Sequence, residues 1–266
     1  MTLGALVAGL AVELRGDPEV AVSAATLDVE AVAPGTLFCA RRAWYGDTHA
    51  HLERALRRGA SALLVSRPER LPAGCPVPVI VAWPEDPALG LLCDRLFDQP
   101  TLALRTYGVT GTNGKTSVTL LLEHVLRALG ERPARMGTVD YAFEGARVDA
   151  RNTTPDALVV HQLAADARTR GATALILEVS SHALAIGRVA GVAFDAVGFS
   201  NLTRDHLDFH GDMAAYEAAK RRLFDPHLRA ALARGKRPGA AACVDDPAGA
   251  RMLAAAPPGT TTVAID

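Results

Sequence analysis

The stretch Tyr107-Gly108-Val109-Thr110-Gly111-Thr112-Asn113-Gly114-Lys115-Thr116 runs straight into an apolar helical segment, Val118 to Leu129. Leu102 to Val109, just before the glycines, has the composition of a short strand, so strand, glycine turn and helix are expected in immediate succession. Glycines at such a turn let backbone N–H groups close around a phosphate, and the helix start adds partial positive charge. Lys115 then reaches the outer phosphates and Thr116 offers its hydroxyl to Mg²⁺. Gly111, Thr112, Asn113, Gly114, Lys115, Thr116 and Ser117 together make the candidate nucleoside triphosphate site. The generic phosphate-loop spacing would put a glycine where Val109 stands. On local grounds alone, a glycine turn that binds nothing therefore stays open as the alternative.

At 266 residues the chain has the length of about two domains, and 49% hydrophobic with 21% charged residues is ordinary for a globular α/β protein. The formal net charge of −1 gives no reason to expect nucleic acid. The opening MTLGALVAGLAVEL lacks a basic leader and is interrupted by Glu13, so a short amphipathic helix is expected in a cytoplasmic protein without a membrane anchor. Cys39, Cys75, Cys93 and Cys243 form no CxxC pair and are expected to be buried thiols.

From Ala21 to Asp98 strand and helix signals alternate: AVSAATLDV, a Pro34-Gly35 turn, TLFCA, a helix from His49 to Arg58, SALLVS, VPVIVAW, and a helix from Pro87 to Phe97. The composition changes at Gln99-Pro100. The domains are accordingly read as residues 1–98 and 99–266. The fold class is α/β: an N-terminal α/β domain followed by a phosphate-loop domain on a mostly parallel sheet.

In the second domain two short strands flank Glu144-Gly145, and Thr154 stands where it can cap a helix from Asp156 to Arg170. ATALILE is a buried strand that ends in Glu178, with Ser180, Ser181 and His182 just beyond. Ligands of open α/β sheets sit at the carboxyl ends of the strands, so Glu178 and His182 are expected to face the phosphate loop. Glu178 and Thr116 make a hard-oxygen pair for Mg²⁺. Asp205-His206 and Asp208-Phe209-His210 are either metal-ligand clusters or ordinary loop and cap residues. Lys220 is, on local grounds, a surface lysine facing Glu217.

TGTNGKT, NTTP, EVSSH and NLTRDHLDFHG together resemble motifs of the Mur ligase family, in particular its tripeptide-forming members; folylpolyglutamate synthases carry a related loop. The resemblance covers essentially the whole chain and implies ATP and Mg²⁺ as cofactors, with Thr116, Glu178, His182 and Lys220 serving metal ions. It implies that Lys220 is carbamylated by CO₂, and that Lys115, Glu178, His182 and Lys220 carry the catalysis. Thr153, Thr154, Ser180 and Arg188 would bind substrate, and His206 would line the site. The implied reaction joins diaminopimelate or lysine to a UDP-linked muramoyl dipeptide through an acyl phosphate. The first domain would hold the uridine nucleotide, although the family's Asp-Ser-Arg reads Asp28-Val29-Glu30 here. A full family member continues into a third, amino-acid-binding domain, so the second domain is expected to be incomplete and a separate C-terminal ligase domain is an expected partner. A ligase for a folate-like or secondary-metabolite carboxylate, and a nucleotide-binding protein without ligase activity, are the competing classes.

Overall fold

The computed structural model describes residues 1–43, 46–82, 88–150 and 152–266, which fall into two compact units, Met1–Asp98 and Gln99–Asp266.

The first unit opens with α1 (Leu3–Val7) and β1 (Glu13–Arg15). Its five-stranded sheet also contains β2 (Ala24–Thr26), β3 (Thr36–Ala40), β6 (Ala62–Val65) and β7 (Val79–Val81), in the order β1-β7-β6-β3-β2. All neighbours are parallel except β1 and β7. A two-residue ladder, β4 (Arg42–Ala43) with β5 (Gly46–Asp47), leads to α2 (Leu52–Arg57), and α3 (Ala88–Leu96) closes the unit. Every residue of β3 and β6 is buried, as a parallel sheet covered on both faces requires. Trp83 and Pro87, at the ends of two expected elements, lie outside the described residues.

Two local expectations fail here for visible reasons. The strand expected over Ala21 to Val29 is only β2, because the Asp28 carboxylate accepts the Glu30 N–H at 2.9 Å and starts a 3-10 turn, Val29–Ala31. The helix expected from His49 begins as a 3-10 turn, Thr48–His51, because His49 is drawn inward. Its Nε2 accepts the backbone N–H groups of Ser66 (3.2 Å) and Arg67 (3.1 Å), so its proton sits on Nδ1, 2.5 Å from Asp47.

The second unit is built on an eight-stranded sheet. In chain order its strands are β8 (Arg105–Thr110), β9 (Pro133–Met136), β10 (Asp140–Phe143), β11 (Ala146–Asp149), β12 (Ala174–Glu178), β13 (Ala196–Phe199), β14 (Gly239–Cys243) and β15 (Thr261–Ile265). They lie in the order β11-β10-β9-β12-β8-β13-β14-β15, and only the β9-β10-β11 edge is antiparallel. The β10-β11 turn uses Glu144 (φ 50°) and Gly145 (φ 81°), the left-handed pair that a two-residue hairpin demands. The helices are α4 (Pro100–Ala103), α5 (Lys115–Ala128), α6 (Ala157–Thr169), α7 (Ser181–Ala185), α8 (Leu207–His210), α9 (Met213–Arg221), α10 (His227–Ala233) and α11 (Pro247–Ala255). The mixed α/β class expected from the alternating signals is the class observed. None of the described helices is long and apolar enough to cross a membrane.

Leu102, expected in a strand, belongs to α4, where Pro100 at the first turn presets a helical φ. Strand β9 was not expected at all. Its Arg135 is only 3% exposed and pairs with Asp140 and with Glu123 of α5, the latter at 2.7 Å, so a charged residue masks a buried strand. That network also ties α5 to the sheet. Cys39 and Cys93 are buried, as expected, whereas Cys75 and Cys243 are half-buried.

Candidate active site

Strands β9, β12, β8 and β13 are neighbours and parallel, so the residues that follow them emerge side by side at one sheet edge. Gly137-Thr138 follows β9, Glu178 ends β12, the glycine loop follows β8, and Ser200-Asn201 follows β13.

The glycine loop is clasped by the segment after β13. Thr112 N–H donates to Asn201 O (2.8 Å), Asn113 N–H to Asn201 Oδ1 (3.0 Å), and Ser200 Oγ to Asn113 O (2.6 Å). Gly111 has φ +147°, and a Cβ there would fall 1.9 Å from Ser200 Oγ, so only glycine permits this approach. Gly114 takes φ +83° as the N-cap of α5, leaving the first turn of that helix at the mouth of the loop.

Lys115 Nζ donates to Gly111 O (3.0 Å) and Thr112 O (2.9 Å), and Lys220 Nζ donates to the same Gly111 O at 2.7 Å. Two cations thus share one carbonyl. Burial holds Lys115 below the usual lysine range, opposed by Glu178 and Asp205. Burial, and then the Lys115 charge, push Lys220 down to about 7. Lys220 is 1% exposed and lies over the Tyr216 ring at 4.5 Å; the surface pairing with Glu217 does not form, because Glu217 pairs with Arg251 instead.

Glu178 is 0% exposed. Its Oε2 accepts the hydroxyls of Thr116 (2.9 Å) and Thr138 (2.9 Å), and its Oε1 accepts the Thr138 N–H (3.0 Å). A buried carboxylate is tolerated because donors surround it.

The four residues singled out for substrate gather beside Glu178. Thr154 is fully buried, its hydroxyl donating to Glu178 O (2.8 Å) and accepting from Ser180 N–H (3.0 Å). It therefore does not cap α6, whose N-cap position is taken by Asp156. Arg188 Nη1 donates to Thr154 O at 3.0 Å, and Ser180 Oγ caps α7 by accepting Ala183 N–H at 3.2 Å. Thr153 meets Thr138 at 3.1 Å.

His182 lies among aromatic side chains. Its ring packs on His206 (4.7 Å), Phe209 (4.2 Å) and His210 (5.4 Å), and burial followed by those imidazoles lowers its pKa. Among the described residues, no three His, Cys, Asp or Glu side chains converge as a metal cluster. Ser117 is exposed on α5. Sequence reasoning gave no role to Thr138, Ser200 or to Asn201, which opens the NLTRDHLDFHG motif; each lies within two residues of the end of a parallel strand, which is the signal that could have found them.

In the first unit Val29 is core, and Glu30 pairs with Arg54 (2.5 Å) and Arg58 (3.6 Å). A cavity of about 420 Å³ there is lined by Asp47, His49, Leu52 and Arg70, among others, and by none of Asp28, Val29 and Glu30.

A glycine loop between a central parallel strand and a helix, with a buried carboxylate on the loop's threonine, defines a phosphate-loop α/β protein. The chain belongs to the Mur ligase family, whose middle domain matches residues 109–261. It is 46% identical over 217 residues to a UDP-N-acetylmuramoyl-L-alanyl-D-glutamate--2,6-diaminopimelate ligase of Xanthomonas oryzae pv. oryzae (strain MAFF 311018), covering 80% of this chain and 43% of that protein. The ligase of the same name from Xanthomonas campestris pv. campestris (strain 8004) is 42% identical over 250 residues, 93% of this chain and 48% of its own. A solved structure of a ligase of that name superimposes with a TM-score of 0.80 at 28% identity, over 99% of this chain and 52% of its own. The chain thus spans about half the length of the relatives it matches.

Proposed function

We propose that this chain supplies the carboxylate-activating part of an ATP-dependent amide ligation on a UDP-linked muramoyl dipeptide, with diaminopimelate, or else lysine, as the amine. The buried Glu178 carboxylate carries the reading: it meets the phosphate-loop Thr116 on one side and the Thr138–Thr153 pair on the other. The names of the relatives support diaminopimelate. The substrate carboxylate attacks the γ-phosphorus of ATP, giving an acyl phosphate and ADP; the amine then displaces phosphate and gives up a proton. Lys115, released from its two carbonyls, holds the outer phosphates, while the free N–H groups at the start of α5 hold the inner ones. Ser180, Arg188 and the Asn152–Pro155 loop orient the muramoyl carboxylate. Orientation is the main work here, because phosphoryl transfer asks little covalent chemistry of the protein. A cytoplasmic setting follows from such substrates.

Thr116 Oγ1 and Glu178 Oε2 suit Mg²⁺, which takes one or two protein oxygens and completes its shell with phosphate and water. Bound there, Mg²⁺ would offset charge on the transferred phosphoryl group. His182 and an unmodified Lys220 would bring no negative charge to a second metal ion, whereas a carbamate on Lys220 would supply an anionic oxygen. With its pKa near 7, Lys220 holds much neutral amine at neutral pH; the nitrogen attacks CO₂ and a proton leaves. ¹³C NMR under labelled bicarbonate is expected to show a carbamate resonance that Lys220→Arg abolishes. Absence of that resonance in the unaltered chain would rule the adduct out.

The activation step is tested by trapping. With ATP, Mg²⁺ and the muramoyl dipeptide, hydroxylamine should capture a hydroxamate, and omission of either substrate should prevent it. ATP hydrolysis indifferent to the muramoyl substrate would overturn the proposal. The pairing of Arg54 and Arg58 with Glu30, which stands where the resemblance would put an arginine, supports a second reading in which a different carboxylate is activated. The same trap with folate-like acids separates the two.

A further inference from the structure

We infer that Thr138 is a positioning residue that couples the Asn152–Pro155 loop to the carboxylate of Glu178, through a directed chain of hydrogen bonds from Thr153 to Thr138 to Glu178. The inference rests on the functional reading above, in which that loop meets substrate and Glu178 meets Mg²⁺.

Proton counting fixes the direction of the chain. Thr138 Oγ1 lies 2.9 Å from Glu178 Oε2 and 3.1 Å from Thr153 Oγ1, and a hydroxyl has one proton to give. An ionised carboxylate only accepts, so the Thr138 proton goes to Glu178. Thr153 must then donate to Thr138. The Thr138 N–H binds the other carboxylate oxygen at 3.0 Å, so one residue holds both oxygens and sets the plane of the carboxylate. Thr116, from the phosphate loop, reaches the same Oε2 at 2.9 Å. Substrate loop and phosphate loop therefore meet on one oxygen, with Thr138 as the link on the substrate side.

The rest of the pocket makes this link specific. Thr154, next to Thr153, has its hydroxyl committed to Glu178 O and Ser180 N, so Thr153 is the loop hydroxyl that engages the carboxylate chain. Gly137 gives Glu178 room to lie against the backbone that presents Thr138, since a Cβ at Gly137 would sit 2.2 Å from Oε1. A substrate group that draws the Thr153 hydroxyl toward itself weakens its donation to Thr138. That change alters how firmly Glu178 is held, and by linkage metal–nucleotide binding must alter substrate binding by the same factor.

Three variants decide the matter: Thr138→Val, which keeps the shape and the backbone N–H but loses the hydroxyl; Thr138→Ser, which restores it; and Thr153→Val. In calorimetry, Thr138→Val is expected to weaken Mg-ATP binding about fivefold, the size of one net hydrogen bond, while ATP binding in EDTA is unchanged. Thr138→Ser should recover the loss. Thr153→Val should weaken Mg-ATP binding about twofold in the unaltered chain and have no effect beside Thr138→Val, since a chain is non-additive. Equal losses with and without Mg²⁺, no recovery by serine, or additivity would overturn the inference while leaving the functional reading standing. If the unaltered chain binds no nucleotide, the functional reading fails by itself. Amide hydrogen exchange at Thr138 then decides the chain without nucleotide: Thr153→Val should speed it about threefold, and an unchanged rate overturns the inference.

Discussion

Lys115→Ala is expected to cost about a hundredfold or more in Mg-ATP affinity while the fold survives, because a charge-assisted contact to phosphate is worth roughly 2–3 kcal/mol or more and a methyl replaces none of it. The stability side follows from the same geometry. Lys115 and Lys220 crowd the carbonyl of Gly111, and burial disfavours both charges. Removing one cation leaves Gly111 O bound by Lys220 and relieves repulsion, so the thermal midpoint should hold or rise. Lys220 gives a second readout. Its pKa is lowered first by burial and then by Lys115; without that neighbour its protonated form is favoured and its pKa moves up from about 7. Calorimetry, thermal melting and an NMR titration of Lys220 test these three points together. Unchanged nucleotide affinity in a folded variant would remove Lys115 from the phosphate site.

How much of this was legible before the fold is best argued from single residues. Strands such as Ala174–Glu178 are wholly apolar until their last residue, so burial, parallel pairing and the place of Glu178 at a strand end follow from composition. The α/β class follows from the same alternation of runs. Strand β9 was hidden because Arg135 is buried by virtue of Glu123 and Asp140, and no periodicity reports a compensated charge. Thr154 looked like a helix cap because capping is a local pattern, whereas its hydroxyl is claimed by Glu178 O, 24 residues away in sequence. Lys220 looked like a surface lysine because Glu217 lies one turn before it; only packing shows that Arg251 takes Glu217 and that Lys220 turns inward. Contacts set by strand order are those the sequence conceals. Thr138 and Asn201 are beside the phosphate loop only because β9 and β13 happen to lie where they do in the sheet.

Gly137→Ala should have the other large effect, through a residue that carries no functional group. Its φ is not in the left-handed region, so alanine meets no backbone penalty there and any cost must come from contact. A Cβ would stand 2.2 Å from Glu178 Oε1 and 2.8 Å from Cδ, and the carboxylate, 0% exposed and held by three donors, has little freedom to yield. Either Glu178 turns away and leaves buried donors unpaired, or the β9-β10 turn shifts and withdraws Thr138. Both routes should cost about 2–4 kcal/mol of stability and most of the Mg²⁺-dependent part of nucleotide affinity. A double-mutant cycle identifies the clash. Glu178→Ala removes the atoms that the new methyl would strike, so adding Gly137→Ala to it should cost less than about 0.5 kcal/mol in urea unfolding, a strong departure from additivity. If Gly137→Ala is equally damaging whether or not the carboxylate is present, the strain lies in the turn itself, and glycine at this position does not serve to seat Glu178.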